Sequence, residues 1–123
     1  MNVAKKNAEI WFGTLTMGDA QEMAKLYAIN AILLPTCSGK IRQGRLEIEK
    51  YFEEDFLPKK PIGAFAGEQI VQTICASLYI DSALYNFETT HGEMRCRFNR
   101  IWKRTAEGYW QIINHQSSVN PAT

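Results

Sequence analysis

The feature that most constrains this chain is a change in the spacing of its apolar residues about halfway along. Up to residue 57 they recur mainly at helical intervals; beyond residue 65 they fall in four long extended runs. Ala4, Ala8, Trp11 and Leu15, with Phe12 beside them, predict an amphipathic helix over 3–17. Gly18 stops it, and Asp19 caps a second short helix running to Tyr27. The stretch "AINAILLPT" reads as a strand broken at Pro35, and "CSGKIRQG" as a turn with a short extended piece. In 45–57, Ile48, Phe52 and Phe56 stack at i, i+4 and i+8, with Tyr51 on the neighbouring row, which predicts a third helix. "PKKPIG" closes it, since proline cannot continue a helix. Strands are expected at about 66–76, 78–89, 94–104 and 109–118, joined by turns containing "DS", "HGE" and "AEG". The result is an α+β layout: three N-terminal helices packed on one face of a curved antiparallel sheet, as a single domain over 1–123.

The composition narrows the function classes. Hydrophobic residues are 46% and charged residues 22% of the chain, the balance of a globular protein. The formal charge is +1, so the electrostatic footprint of a nucleic-acid binder is missing at whole-chain level. No apolar run approaches the ~20 residues of a membrane span, and the N-terminal stretch lacks the apolar segment of a signal peptide. Cys37, Cys75 and Cys96 are an odd number without metal spacing. A cytoplasmic protein with free thiols is expected, without metal, membrane or nucleic-acid partner. No phosphate-binding glycine loop or dinucleotide motif is present, and no cofactor is expected.

The end of the chain breaks the apolar pattern. "WQIINHQSSV" begins as a core strand and then runs Asn114, His115, Gln116, Ser117, Ser118. Such a strand either leaves the core for water or lines a polar cavity.

Several stretches in one order resemble a known pattern: "WFGTLTMGDAQEMAKLYAINAILLPTCSGKIRQG", "IEKYFEEDFLPKKPIG", "DSALYNF", "RCRFNRIWK" and "WQIINHQSSVNP". Together they resemble the SgcJ/EcaC-type bacterial relatives of the calcium/calmodulin-dependent kinase II association domain. These belong to the nuclear transport factor 2-like, or SnoaL-like, superfamily. The resemblance is sharpest at Trp11, Gly18-Asp19, Leu34-Pro35-Thr36 and the closing His-x-Ser-Ser-x-x-Pro. It implies a cone-shaped fold enclosing a deep pocket, commonly as a homodimer, with the last strand along the cavity. Where the family carries a run of histidines, this chain keeps only His115.

His115 is the sharpest chemical candidate, because a pKa near 6.5 suits a base or a neutral hydrogen-bonding group. Strict alternation puts Gln111, Ile113, His115 and Ser117 on one face, and Trp110, Ile112, Asn114 and Gln116 on the other. A histidine satisfied by neighbours at a dimer interface is the competing reading. On the preceding strand Cys96, Phe98, Arg100 and Trp102 oppose Arg95, Arg97, Asn99 and Ile101. An arginine among apolar groups must be paired or face an anion. A ligand carboxylate would suit the guanidinium fork; an internal pair with Glu88 or Glu93 is the alternative. By resemblance, Arg97 and Arg100 fall on family arginines, and Arg42 falls on one near the pocket mouth. Trp11, Tyr27, Tyr51 and Tyr85 line the pocket or fill the core. Ketosteroid isomerases, which resemble this fold, place a basic aspartate just before a proline; here that place is Leu34, so their mechanism is excluded.

The expected function is a homodimeric small-molecule-binding protein, its ligand a polar-ended or carboxylated apolar compound. The candidate ligand-binding residues are Trp11, Tyr27, Arg42, Arg97, Arg100 and Ser117, with His115 the catalytic candidate. The alternatives are a cofactor-independent isomerase, dehydratase or cyclase using His115 as base, and an oligomerisation module. The dimer is expected through the sheets. His115 and at least one of Arg97 and Arg100 are expected to share one concave space with Trp11 or Tyr27.

Overall fold

The structure, a computed structural model, describes residues 2–121; residues 1, 122 and 123 of the expected 1–123 domain lie outside them. Helix α1 spans Val3–Met17 and buries Ala4, Ala8, Trp11 and Leu15, the stripe that its spacing predicts. Asn2 caps it by accepting from the Lys5 N–H, and Gly18 at φ 74° ends it in the left-handed region that glycine adopts most readily. Asp19 accepts from Gln21 and Glu22 to start α2, Ala20–Ala24. This helix is shorter than expected. Tyr27 begins strand β1 (Tyr27–Leu34) instead, because the Leu26 carbonyl already accepts from Ile112 N–H at 2.8 Å and draws the chain into the sheet.

Strand β2 is only Arg42–Gln43, pairing antiparallel with β1. Helix α3 covers Arg45–Tyr51, where a continuous helix to residue 57 is expected. It widens into a π-helical turn over Phe52–Phe56 and tightens into a 3-10 turn over Leu57–Lys59. Ile48, Tyr51, Phe52 and Phe56 are nevertheless all buried.

The expected strand at 66–76 is β4 (Ile70–Cys75), and a further strand that the spacing does not predict, β3 (Ile62–Phe65), precedes it. Both pair with β5 (Leu78–Thr89), β3 along Tyr85–Glu88 and β4 along Leu78–Ser82. Asp81 and Ser82 lie inside β5, paired with Arg100 and Asn99, so "DS" is not a turn; Ala76-Ser77 turns the chain instead. Strands β6 (Gly92–Arg104) and β7 (Trp110–Val119) complete the meander. The sheet order is β2-β1-β7-β6-β5-β3, with β4 beside β5. The β1–β7 pair is parallel, a departure from the wholly antiparallel expectation. It is allowed because most of the chain separates these two strands and serves as their crossover.

Two local features shape the concave face. At Gly63 an added Cβ would lie 2.7 Å from the Phe87 ring and 2.9 Å from Phe12, so only glycine lets β3 approach α1 this closely. In β7 the pairing shifts from Ile101↔Asn114 to Trp102↔Ile112, leaving Ile113 as a bulge. Strict alternation is thereby broken. Ile112 and His115, expected on opposite faces, are both buried, and Ser117 follows His115 inward.

Candidate functional site

His115 sits under the helices with 3% of its surface exposed. Trp11 and Phe98 meet it edge-on and Tyr27 stacks on it, at centroid separations of 5.9, 6.0 and 6.0 Å. A hydrogen-bond chain fixes its proton. Trp11 Nε1–H donates to Tyr27 Oη at 3.2 Å, and Tyr27 Oη lies 2.9 Å from His115 Nδ1. The Tyr27 oxygen accepts from Trp11, and Nδ1 is the one acceptor within reach of the Tyr27 hydroxyl hydrogen among the described residues. The arrangement that satisfies both has Tyr27 donating to Nδ1, which places the imidazole proton on Nε2. That Nε2 is buried and has no hydrogen-bond partner among the described residues. Burial, and then the Arg100 guanidinium, hold the imidazole pKa well below its usual 6.5, so the ring is neutral. A neutral ring with Nε2–H donates a hydrogen bond there and does not accept a proton at that atom.

The ring forms part of the wall of a small cavity of about 20 Å³. Trp11, Leu33, Pro35, Phe52, Phe56 and Phe87 line it together with Tyr51, Tyr85, Thr36, Ser117 and His115, and the surface they present to it is almost wholly apolar. A second hydrogen-bonded set closes one side: Tyr85 Oη contacts Ser117 Oγ, which lies 2.6 Å from Thr36 Oγ1. Burial raises the Tyr27, Tyr51 and Tyr85 hydroxyl pKa values, so these groups remain protonated. Beyond Pro35, Thr36 and Ser117 lies an open polar groove of about 300 Å³, flanked by Ser38, Lys40 and Gln116. The interior of the cone is thus nearly filled, where a deep pocket is expected.

The expected grouping of His115 with an arginine in this cavity does not occur. Arg100 is 1% exposed and bound two-pronged to Asp81, Nε to Oδ1 at 3.1 Å and Nη2 to Oδ2 at 2.7 Å. Trp102 Nε1 and Gln69 Nε2 donate to the same carboxylate at 3.1 and 2.8 Å, and the guanidinium carbon lies 4.0 Å from the Phe98 ring centre. Arg100 is an internal ion-pair partner, to Asp81 rather than to Glu88 or Glu93. Arg97 points to the opposite, exposed face of β6, where its Nε is 3.4 Å from Ser118 Oγ. Arg42 binds Asp55 at 2.8 Å and Ser38 at 3.0 Å and lies over the Tyr51 ring. None of the three arginines lines the cavity. Trp11, Ser117 and His115 do; Tyr27 stands one step behind, as the link between Trp11 and His115. Thr36, marked in the sequence only as part of the Leu34-Pro35-Thr36 resemblance, is a wall residue not expected at the site, and Asp81 is the Arg100 partner that was not assigned. Only the β5–β6 register, which sets Asp81 opposite Arg100, reveals that pair.

No group of three or more His, Cys, Asp or Glu side chains is placed to hold a metal ion among the described residues. No helix among them is long and apolar enough to cross a membrane.

None of the curated proteins matches the chain. Among solved structures, a Xanthomonas campestris protein assigned to the calcium/calmodulin dependent protein kinase II association domain is 33% identical. It superposes with a TM-score of 0.85 over 94% of this chain and 84% of its own. A Pseudomonas putida KT2440 nuclear transport factor 2-like protein of unknown function is 14% identical, with TM-score 0.79 over 98% and 86% of the two chains. A nuclear transport factor 2-like protein with a cystatin-like fold from Novosphingobium aromaticivorans is 11% identical, with TM-score 0.77 over 96% and 80%. The family model for the calcium/calmodulin dependent protein kinase II association domain matches residues 4–121. With the helices, the curved sheet and the closing histidine strand in place, the chain belongs to the calcium/calmodulin dependent protein kinase II association domain family, on a nuclear transport factor 2-like fold.

Proposed function

We propose that this protein is a homodimeric small-molecule-binding protein whose ligand places its polar end against His115. Fold and family support a ligand-binding or oligomerisation module. The observation that carries the binding reading is the His115 Nε2 atom: buried, held by a fixed ring, and without a partner. A buried donor left unbonded costs about 1–3 kcal/mol, and a ligand acceptor would recover it. The arginines no longer favour a carboxylated ligand, so a polar-ended apolar compound is the reading kept. His115 as a general base is the weaker alternative, because its unpartnered nitrogen already holds the proton. The three cysteines are free, which supports a reducing, cytoplasmic setting.

The test is a thermal-shift screen of small polar-ended aromatic fragments against the wild type and His115→Gln. Fragments that raise the wild-type Tm should lose affinity in the variant. A screen in which every hit binds both forms equally would remove His115 from the site.

Dimerisation rests on the face away from the helices, which carries Leu84, Ile80 and Ile101, with exposed Ile70 and Ile74 at its edge. That face is more polar than expected, since Phe98, Trp102 and Ile112 all turn inward. The occupant we assign to it is a second copy of this chain, in line with the association-domain family. Sedimentation velocity at high micromolar concentration should show a dimer, and a monomer there would refute it.

A further inference from the structure

Resting on that binding reading, we infer that the closed cavity and the open groove are two chambers of one site, and that the inner chamber selects a neutral hydrogen-bond acceptor such as a carbonyl oxygen, carried on a flat apolar body. Three observations support the selection. His115 lines the cavity and its one unpartnered donor is fixed: Trp11 holds Tyr27, Tyr27 holds His115 Nδ1, and Nε2–H is left without a partner. No charged side chain lines the cavity among the described residues, and the nearest buried guanidinium, Arg100, has Asp81 across both of its prongs. An anionic head would therefore be buried without a counter-charge, and a cationic head would meet an N–H donor and no carboxylate. The remaining wall is largely aromatic, which suits a planar body.

The division between the chambers is specific. Pro35, Thr36 and Ser117 belong to both walls, and the Thr36 Oγ1–Ser117 Oγ hydrogen bond at 2.6 Å spans them. A space of about 20 Å³ admits little more than one water-sized group, so a ring-bearing ligand must open this partition. Its head then reaches His115 while the rest occupies the groove of about 300 Å³.

Three probes of matched ring and different head separate the possibilities: acetophenone, benzoate and benzylammonium. Each is titrated at pH 7 against labelled protein, following the Trp11 indole N–H and the His115 ring by NMR. Acetophenone should move both signals, and the two charged probes should not. Thr36→Ala, which removes the partition hydrogen bond, should tighten acetophenone about five-fold, the size of one net hydrogen bond. His115→Phe should abolish the ketone preference and His115→Gln, which keeps an N–H donor, should restore part of it; thermal melts confirm that each variant folds. Benzoate moving the same two signals as strongly as acetophenone would overturn the neutral-acceptor inference while leaving the binding pocket standing. No probe moving them, in wild type or in Thr36→Ala, would remove both. An unchanged acetophenone affinity in Thr36→Ala would refute the two-chamber arrangement.

Discussion

Replacing Asp81 by Ala gives the most direct test of how the interior is held together. Asp81 and Arg100 are 0% and 1% exposed, and the carboxylate accepts two bonds from Arg100, one from Trp102 and one from Gln69. Removing it leaves a guanidinium charge in the core and the Trp102 N–H without its acceptor. Breaking one partner of a buried pair costs about 3–5 kcal/mol. A domain of this size has about 5–15 kcal/mol in all, so the variant should retain a fraction of its stability and melt about 10–20 °C lower. Urea unfolding followed by tryptophan fluorescence measures the loss. The double variant Asp81→Leu with Arg100→Met should recover most of it, because a buried pair replaced by apolar residues of similar volume is often neutral. A loss below about 1 kcal/mol for Asp81→Ala would refute the reasoning and return Arg100 to the set of available cations. That outcome would also reopen the case for a carboxylate ligand.

Three further outcomes follow from the same geometry. His115 has a folded pKa well below its unfolded value near 6.5, so the unfolded chain binds the extra proton first. Its contribution is fully present above pH 6.5 and is lost as pH falls toward the folded pKa, by up to about 1.4 kcal/mol per pH unit. Subtracting the His115→Gln stability profile from that of the wild type between pH 7 and 5 should isolate this slope; a flat difference contradicts burial of a neutral ring. Gly63→Ala places a Cβ 2.7 Å from Phe87 and should cost about 1–3 kcal/mol by overpacking, read by chemical denaturation. Asp19→Ala removes the acceptor for the Gln21 and Glu22 N–H groups and should cost about 1 kcal/mol in the same assay, with the cavity unaltered.

The sequence was most informative where structure depends on local spacing. The α1 stripe, its Gly18 stop, the Asp19 cap and the grouping of Cys96, Phe98, Arg100 and Trp102 on one face of β6 were all legible, because helix and strand periods decide which side chains share a face, though not which face turns inward. The family was legible from motifs in order along nearly the whole chain. His115 stood out because a titratable group follows an apolar run near the end of the last long strand.

What periodicity could not decide is set by pairings between residues far apart in the chain. The Ile113 bulge turned Ile112 and His115 to the same side, and no local pattern announces a bulge whose cause is register against β6. Strand β3 at 62–65 was missed because only the length of β5, which it shares with β4, offers it a partner. Arg97 and Arg100 look alike in "RCRFNR", yet one faces outward and the other lies against Asp81, a residue 19 positions away brought opposite by the β5–β6 ladder. Sequence thus determined which residue types the site contains. Tertiary structure decided that the arginine was already neutralised and that the histidine kept a free N–H, because charge pairing and hydrogen-bond satisfaction are properties of neighbours in space.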